Sequence, residues 1–355
     1  MIEKLYELFN DAIEKKVFPG CAAAVVVRGL EPLIITAGQF TYDKNSPQVE
    51  PDSVFDTASV TKAIPVSCLA LKLIESGMMK PDDLLVKYVP LYRSNYRDSV
   101  KIENLLTQTL DFNFRLSQCK DLGSQGILDT ILSADLKSAP GTKYSYANAT
   151  SILLGLAIEA CTDSRLDKLA DKLLFTPLKM KTSTFFPENI DKSLIVPTEF
   201  DNWRGRLLTG EIHDESAWAL RPIVIAGSAG LFSTIKDLSL FVSMLINEGC
   251  SDGVKIFNPE TVKLMHTNQR PLSSGEWTGL GWELNQENFM GKHRSENTFG
   301  KTGFTGCSVV VDPCKNAGIV LLTNHVHPRR GNDRGAINRV RSAFADEVFG
   351  TVQSK

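Results

Sequence analysis

Residues 56–65 read DTASVTKAIP, and the fold is legible from this stretch outward. Ser59 and Lys62 lie three apart, so a helix puts them on one face within mutual reach. A serine at the start of a helix also sits among backbone N–H groups that lack intrahelical partners, at the positive end of the dipole. That position suits an oxyanion, and the neighbouring amine suits a base for a serine nucleophile. Pro65 follows three residues after Lys62. It cannot donate to the Thr61 carbonyl, so a kink or irregular first turns are expected in this helix. Taken alone, an SxxK pattern also occurs by chance on many solvated helix starts.

Two further polar motifs stand downstream. Tyr146 and Asn148, in KYSYANAT, place a phenol and a carboxamide on the same side of an extended or turned segment. Lys301-Thr302-Gly303, in FGKTGFTGCSVVVDP, precedes a strand. Gly303 there is expected to leave room for a substrate lying along a strand edge. Read singly, these two motifs also fit a polar turn and a strand-entry turn.

The flanks of the chain resemble each other. Leu5, Leu8, Phe9 and Ile13 share one helical face over residues 2–16. Apolar runs at 21–28 and 33–37 then read as a hairpin around Gly29. Near the other end, residues 307–312 and 318–323 read as a second strand pair around Asp312-Pro313. A helix over about 334–349 follows, with Ile337, Val340, Phe344 and Val348 in register. The fold class is therefore α+β: one antiparallel sheet built from both chain ends and flanked by the terminal helices. A mostly helical lobe is inserted between them. The expected division of this single domain is a sheet lobe at about 1–55 and 295–355 and a helical lobe at about 56–294. Within the latter, Val66, Leu69, Ala70, Leu73 and Ile74 form a stripe ending at Gly77. Ile152, Leu153, Leu156 and Ala157 form another, and Thr234 is placed to cap a third helix.

The 355 residues include 39 Lys+Arg and 41 Asp+Glu, a net charge of −2, which argues against a nucleic-acid partner. Hydrophobic residues at 43% and charged residues at 23% are ordinary globular values. No apolar run approaches the roughly 20 residues of a membrane span. The amphipathic N-terminus lacks the apolar core of a signal peptide. As written, the chain reads as cytoplasmic; a chain trimmed of an export leader would look the same. Seven cysteines show no CxxC pair and read as reduced, mostly buried thiols.

In this order, SxxK, YxN and KTG resemble the penicillin-recognising serine hydrolases. The chain is similar to the class C β-lactamase-like group, with its low-molecular-weight DD-peptidases and family VIII esterases. The resemblance runs through FPGCAAAVV (18–26), PLKMKTSTFF (177–186), GSAGLFSTIKDLSLF (227–241), GLGWEL (279–284) and VLLTNHVHPRRGN (320–332). His213-Asp214-Glu215 and the NHVHP segment look most like a branch of cell-wall hydrolases that includes murein-peptide amidases.

The resemblance implies a β-lactamase/DD-peptidase-like fold and an acyl-enzyme on Ser59, with Lys62 and Tyr146 as the coupled base. It places the oxyanion hole at the backbone N–H groups of Ser59 and Phe304. Asn148 would hold an acyl side-chain amide. Lys301 would hold Tyr146 and attract a substrate carboxylate, assisted by Thr302 and Thr305. Burial and the second cation at Lys301 would favour neutral Lys62. The sequence departs from many relatives at LLTQTLDF (105–112), where Gln108 and Leu110-Asp111 replace a histidine and a Ser-Gly pair.

His213, Asp214 and Glu215 are candidate accessory residues; the alternative is a loop whose side chains bond to backbone. His325 and His327 are taken as structural or rim residues. Trp203, Trp218 and Trp277 flank loops and fit either packing or a cleft lining. HDE is not HExxH and no second His/Cys pair has ligand spacing, so no metal and no cofactor are expected. The expected partner is a small molecule or peptide, with cell-wall fragments foremost. The leading activity is hydrolysis of a peptidoglycan-derived amide, peptide or ester. The alternatives are an esterase or weak class C-type β-lactamase and, in another class, a penicillin-binding sensor with little turnover.

Overall fold

The computed structural model describes residues 1–269, 276–331 and 333–352. Its centre is a six-stranded antiparallel sheet formed by β1 (Gly20–Val27), β2 (Leu33–Gly38), β3 (Glu283–Leu284), β4 (Phe299–Thr302), β5 (Ser308–Asp312) and β6 (Ala317–Thr323). The spatial order is β2-β1-β6-β5-β4-β3. The first hairpin thus joins the last one directly, with Ala24 opposite Val320. Both strand runs lie in the middle of the sheet and are covered on both faces, which is why they read as continuous apolar stretches.

Alternate residues of β1 enter two separate cores. Cys21, Ala23 and Val25 face α1 (Ile2–Glu14) and α6 (Arg334–Phe349), where Phe9 and Phe344 meet edge to face at 5.3 Å. Ala22, Ala24 and Val26 face the larger core, which includes Val242 and Ile246 of α5 (Ile235–Ile246). Gly318 on β6 allows this close approach: a Cβ there would lie 2.6 Å from Val242 Cγ1. Thr234 caps α5 by accepting from the Asp237 amide at 3.2 Å.

The segment carrying Ser59 is a broken helix. Ala58–Lys62 form a 3₁₀ turn, and Ile64 leaves helical geometry at φ −114°, ψ 111° just before Pro65. The regular helix, α2 (Cys68–Glu75), starts only afterwards. The Ser67 hydroxyl donates to the Lys62 carbonyl at 2.7 Å, satisfying an acceptor exposed by the break. The kink expected from Pro65 is present. The break at Ile64 leaves only a 3₁₀ turn directly behind Ser59.

Three other elements reach the same region. α3 (Asn148–Thr162) begins at Asn148, and α4 (Glu215–Leu220) is capped by Asp214, which accepts from Ala217 N at 2.8 Å. The last two residues of β4 are open at its outer edge, because β3 pairs only with Phe299 and Gly300. Among the described residues, no helix is long and apolar enough to cross a membrane, and no cluster of His, Cys, Asp or Glu converges as a metal site would. No disulfide joins the seven cysteines; four are buried, and Cys314 is exposed.

Candidate active site

A turn of backbone held under strain presents Ser59. Ala58 adopts φ +47°, a left-handed conformation uncommon for alanine. Buried Asp56 holds the turn: one carboxylate oxygen accepts from Ala58 N at 2.8 Å and the other from His213 N at 2.7 Å. Burial raises the Asp56 carboxyl above the usual range despite these bonds. Asp56 stands within DTASVTKAIP, and the clue to its role was an Asx residue two positions ahead of a backbone amide.

Lys62 is buried, and its Nζ donates to Ser59 Oγ at 3.0 Å and to the Ser228 carbonyl at 2.7 Å. Ser228 belongs to the 227–241 stretch, so this lysine is fixed by a segment far from its own. Tyr146 completes the group. Lys62 Nζ lies 5.0 Å from its ring centroid and Lys301 Nζ lies 4.6 Å from it. Burial pushes the phenol up, but the two ammonium groups and contacts with Ser59 and Lys62 outweigh it, and the net direction is down.

Lys301 differs from expectation in one respect. Its ammonium is buried and makes a close ion pair with Glu283 on β3. Burial alone would lower its pKa; the Glu283 carboxylate reverses that, and the ammonium is held above its ordinary value. Lys301 is therefore not a bare cation awaiting a substrate carboxylate. Glu283 lies in GLGWEL without any local pattern that marks it, since its partner is reached across the sheet. Nearby Tyr144 is raised by burial and by the Glu283 charge.

The KTG turn also departs from expectation. A Cβ on Gly303 would sit 2.3 Å from the Thr57 carbonyl, so the approach of the Ser59 segment by itself requires glycine here. Thr305 is buried and donates to the Asp56 carbonyl at 2.7 Å, which removes it from the carboxylate-binding role. Thr302 and Phe304 do line the cleft, as does Gly303. Arg341 of α6, also a cleft residue, clamps this turn from behind by donating to the carbonyls of Gly303 (2.8 Å), Cys307 (3.0 Å) and Gly306 (3.3 Å).

Asn148 Nδ2 donates to Asp214 Oδ2 at 2.9 Å. The two other members of the HDE triplet face a different network. Buried His213 stacks on the Phe304 ring at 5.6 Å and bonds through Nε2 to Glu199 at 2.9 Å. Arg330 binds Glu199 and donates to Glu215 at 2.9 Å. Burial works against the Glu199 charge, but His213 and Arg330 prevail and hold its pKa at about 2.

Gln108, where many relatives carry histidine, clamps the YxN segment. Its Nε2 donates to Ser151 Oγ at 3.0 Å, its Oε1 accepts from Ala147 N at 3.2 Å, and its carbonyl accepts from Ser145 N at 2.8 Å. Asp111 adds a bond from Ser145 Oγ at 3.3 Å. His325 bonds the Val17 carbonyl at 2.6 Å and His327 the Thr198 carbonyl at 3.2 Å. Trp203 and Trp218 pack edge to face at 5.5 Å, whereas Trp277 lines the cleft.

A cleft of about 370 Å³ is floored by Ser59 and Tyr146 and walled by Glu283, Thr302, Phe304, Arg330 and Arg341, whereas Lys62, Asn148, Lys301 and Thr305 are not among its lining residues. Such a volume admits a short peptide or an acyl group of comparable size.

Residues 6–342 match the family model described as Beta-lactamase. A putative D-alanyl-D-alanine carboxypeptidase of Escherichia coli (strain K12) is 29% identical over 306 residues, covering 78% of this chain and 70% of that protein. An N-acetylmuramyl-L-alanine amidase of Bacillus subtilis (strain 168) is 27% identical over 358 residues, covering 90% of this chain and 80% of that protein. Among solved structures, the octameric penicillin-binding protein homologue from Pyrococcus abyssi has the same fold, with TM-score 0.77 and 20% identity over 98% of this chain and 77% of that one. EstCE1, a hydrolase with promiscuous acyltransferase activity, superposes with TM-score 0.73 at 18% identity, over 96% of this chain and 98% of that one. By its sequence across nearly the whole length and by its fold, the chain belongs to the beta-lactamase family and is an enzyme of the serine hydrolase kind.

Proposed function

We propose that the protein hydrolyses an amide or ester bond in a peptidoglycan-derived peptide through an acyl-enzyme on Ser59. The observation that carries this reading is the Ser59 Oγ to Lys62 Nζ hydrogen bond of 3.0 Å at the floor of the cleft, with Tyr146 beside both lysines. The Ser59 oxygen attacks the scissile carbonyl while its proton passes to the Lys62–Tyr146 pair. The two groups interact too closely for the proton to be assigned to one of them. The backbone N–H groups of Ser59 and Phe304 stabilise the tetrahedral oxyanion. The pair then returns the proton to the leaving amine or alcohol, and water releases the acyl group by the reverse sequence.

Asn148, oriented by Asp214, contacts the acyl side chain. The open edge of β4 at Lys301 and Thr302 supports an extended peptide chain, which can add its backbone hydrogen bonds there. Lys301 acts chiefly on Tyr146, and Thr302, Gly303 and Phe304 form the wall beside the scissile bond.

The test is to incubate wild type and Ser59→Ala with a fluorescent penicillin, then with muropeptides, D-Ala-D-Ala peptides, nitrocefin and short esters. A covalent adduct on Ser59 and release of a peptide product are expected. A wild type that forms no adduct with any of these reagents overturns the acyl-enzyme; a stable adduct with no product released would indicate a sensor.

A further inference from the structure

We propose that a cavity behind Arg330 is a subsite for a carboxylate on the acyl side of the substrate, held by Lys120 and Arg329. This inference rests on the function proposed above and narrows its substrate class to acidic peptides.

The cavity, of about 350 Å³, adjoins the catalytic cleft, and Arg330 lines both. Its walls come from separate stretches: Lys120, the segment carrying Phe200 and Trp203, and Arg329-Arg330. Backbone bonds fix the last two against each other. Phe200 N donates to the Pro328 carbonyl at 2.8 Å, and Arg330 N to Glu199 Oε2 at 2.9 Å. Glu215 also lines the cavity, next in the chain to the Asp214 that orients Asn148. The cavity therefore lies on the side where Asn148 meets the acyl group. The Arg330 guanidinium stands 5.5 Å from the centre of the Phe304 ring. An extended chain advances about 3.3 Å per residue, so a group that passes Arg330 is about two or more residues from the one beside Phe304.

The charges on these walls are unequally matched. Three carboxylates line the cavity, and each has a cation: Glu199 and Glu215 pair with Arg330, and Asp201 pairs with Arg204. Lys120 and Arg329 have no ion pair among the described residues. Lys120 Nζ lies 5.2 Å from the centre of the Trp203 ring, and the Arg329 guanidinium 4.9 Å from that of Phe200. Arg329 also donates to Asn202 Oδ1. A ring face attracts a cation without cancelling its net charge. The two aromatics thus position two cations and leave their charge to a ligand. Asp121, next to Lys120 in the chain, accepts from Trp203 Nε1 at 2.7 Å and is not a wall residue. The Arg204 guanidinium lies 5.9 Å from the same Trp203 ring, so that ring is already taken by cations, which favours an anion here over a stacked sugar.

The experiment measures kcat/KM for L-Ala-γ-D-Glu-L-Lys-D-Ala-D-Ala with a free glutamyl α-carboxylate and for the same peptide with that carboxylate amidated. The scissile ends are identical. Wild type should favour the free acid by about tenfold, the scale of two solvent-exposed charge pairs. The preference should weaken as salt rises. Lys120→Gln combined with Arg329→Gln should bring the ratio close to one. Lys120→Arg combined with Arg329→Lys, which keeps both charges, should retain most of it. A purely structural role for these residues would not follow the charge of the peptide.

A wild type that treats the two peptides alike, or favours the amide, overturns the proposal, and this outcome needs no folded variant. A double Gln variant that folds yet keeps the wild-type ratio overturns it as well. If neither peptide is cleaved, the proposed function fails separately. Calorimetric binding of both peptides to Ser59→Ala, with and without the two Gln substitutions, then decides the subsite by itself: equal affinities overturn it, and tighter binding of the acid that the Gln substitutions abolish supports it.

Discussion

The side-chain amide of Asn148 donates to the carboxylate of Asp214 at 2.9 Å, joining the first residue of α3 to the N-cap of α4. With its other oxygen, Asp214 caps α4. One aspartate therefore fixes both a helix start and the direction in which Asn148 presents its carbonyl oxygen. Asp214→Ala should lose about 1 kcal/mol from the cap. It should also raise KM for a peptide substrate more than it lowers kcat, because the acyl-side contact is loosened while Ser59 and Lys62 are untouched. Denaturant melts and steady-state kinetics on the same preparation separate the two effects.

The chemistry itself should depend on the Ser59, Lys62 and Tyr146 group. Ser59→Ala should abolish acylation, read as loss of the mass adduct. Tyr146→Phe should slow acylation by about 10²–10⁴-fold if the phenol relays the proton. The two lysines favour the ionised phenol, so wild-type acylation should rise with pH as the coupled pair loses its proton, and this limb should move in Tyr146→Phe. A pre-steady-state pH profile is the measurement.

Gly303→Ala tests the reason for the glycine in the KTG turn. The new methyl would lie 2.3 Å from the Thr57 carbonyl, a backbone atom that cannot swing aside. The expected cost is about 1–3 kcal/mol of stability together with displaced Ser59 geometry. A variant with wild-type melting temperature and activity would show that the two segments are less tightly apposed.

Acid stability should reflect Glu199. Its pKa is near 2 in the fold against an ordinary 4.5. A depressed carboxyl stabilises the folded state above the unfolded value and loses that effect as pH falls through the folded one. Glu199→Gln should therefore cost up to about 3 kcal/mol at pH 7. The gap to wild type should shrink between about pH 4.5 and pH 2. Thermal unfolding of both proteins across that range checks the sign; a gap that widens on acidification would contradict it.

Much of the scaffold was readable because its signals are local. The apolar runs of β1 and β6 announce buried strands, Thr234 announces the start of α5, and Pro65 announces the break after Lys62. Candidate site residues were readable for a different reason: SxxK, YxN and KTG each pack chemistry into three or four adjacent positions. Glu283 and Arg341 escaped notice because nothing adjacent to them in the chain states their purpose, whereas Asp56 carried only the local signal of an Asx residue two positions ahead of an amide. Thr305 was misread as a ligand-facing hydroxyl because sequence does not say on which side of a turn a side chain falls; it points to the Asp56 carbonyl. Gln108 looked like a departure, yet a carboxamide can donate and accept at once, and it does so to hold the YxN segment.

Taken by itself, the order of residues determined the terminal helices, the two end hairpins that share one sheet and the set of reactive groups, because periodicity, caps and short motifs act over a few bonds. Tertiary structure alone decided the state of charge around those groups. Whether Lys301 faces a substrate or a carboxylate from its own chain depends on a neighbouring strand, and the energy of a buried charge is set by what lies within a few ångströms in space.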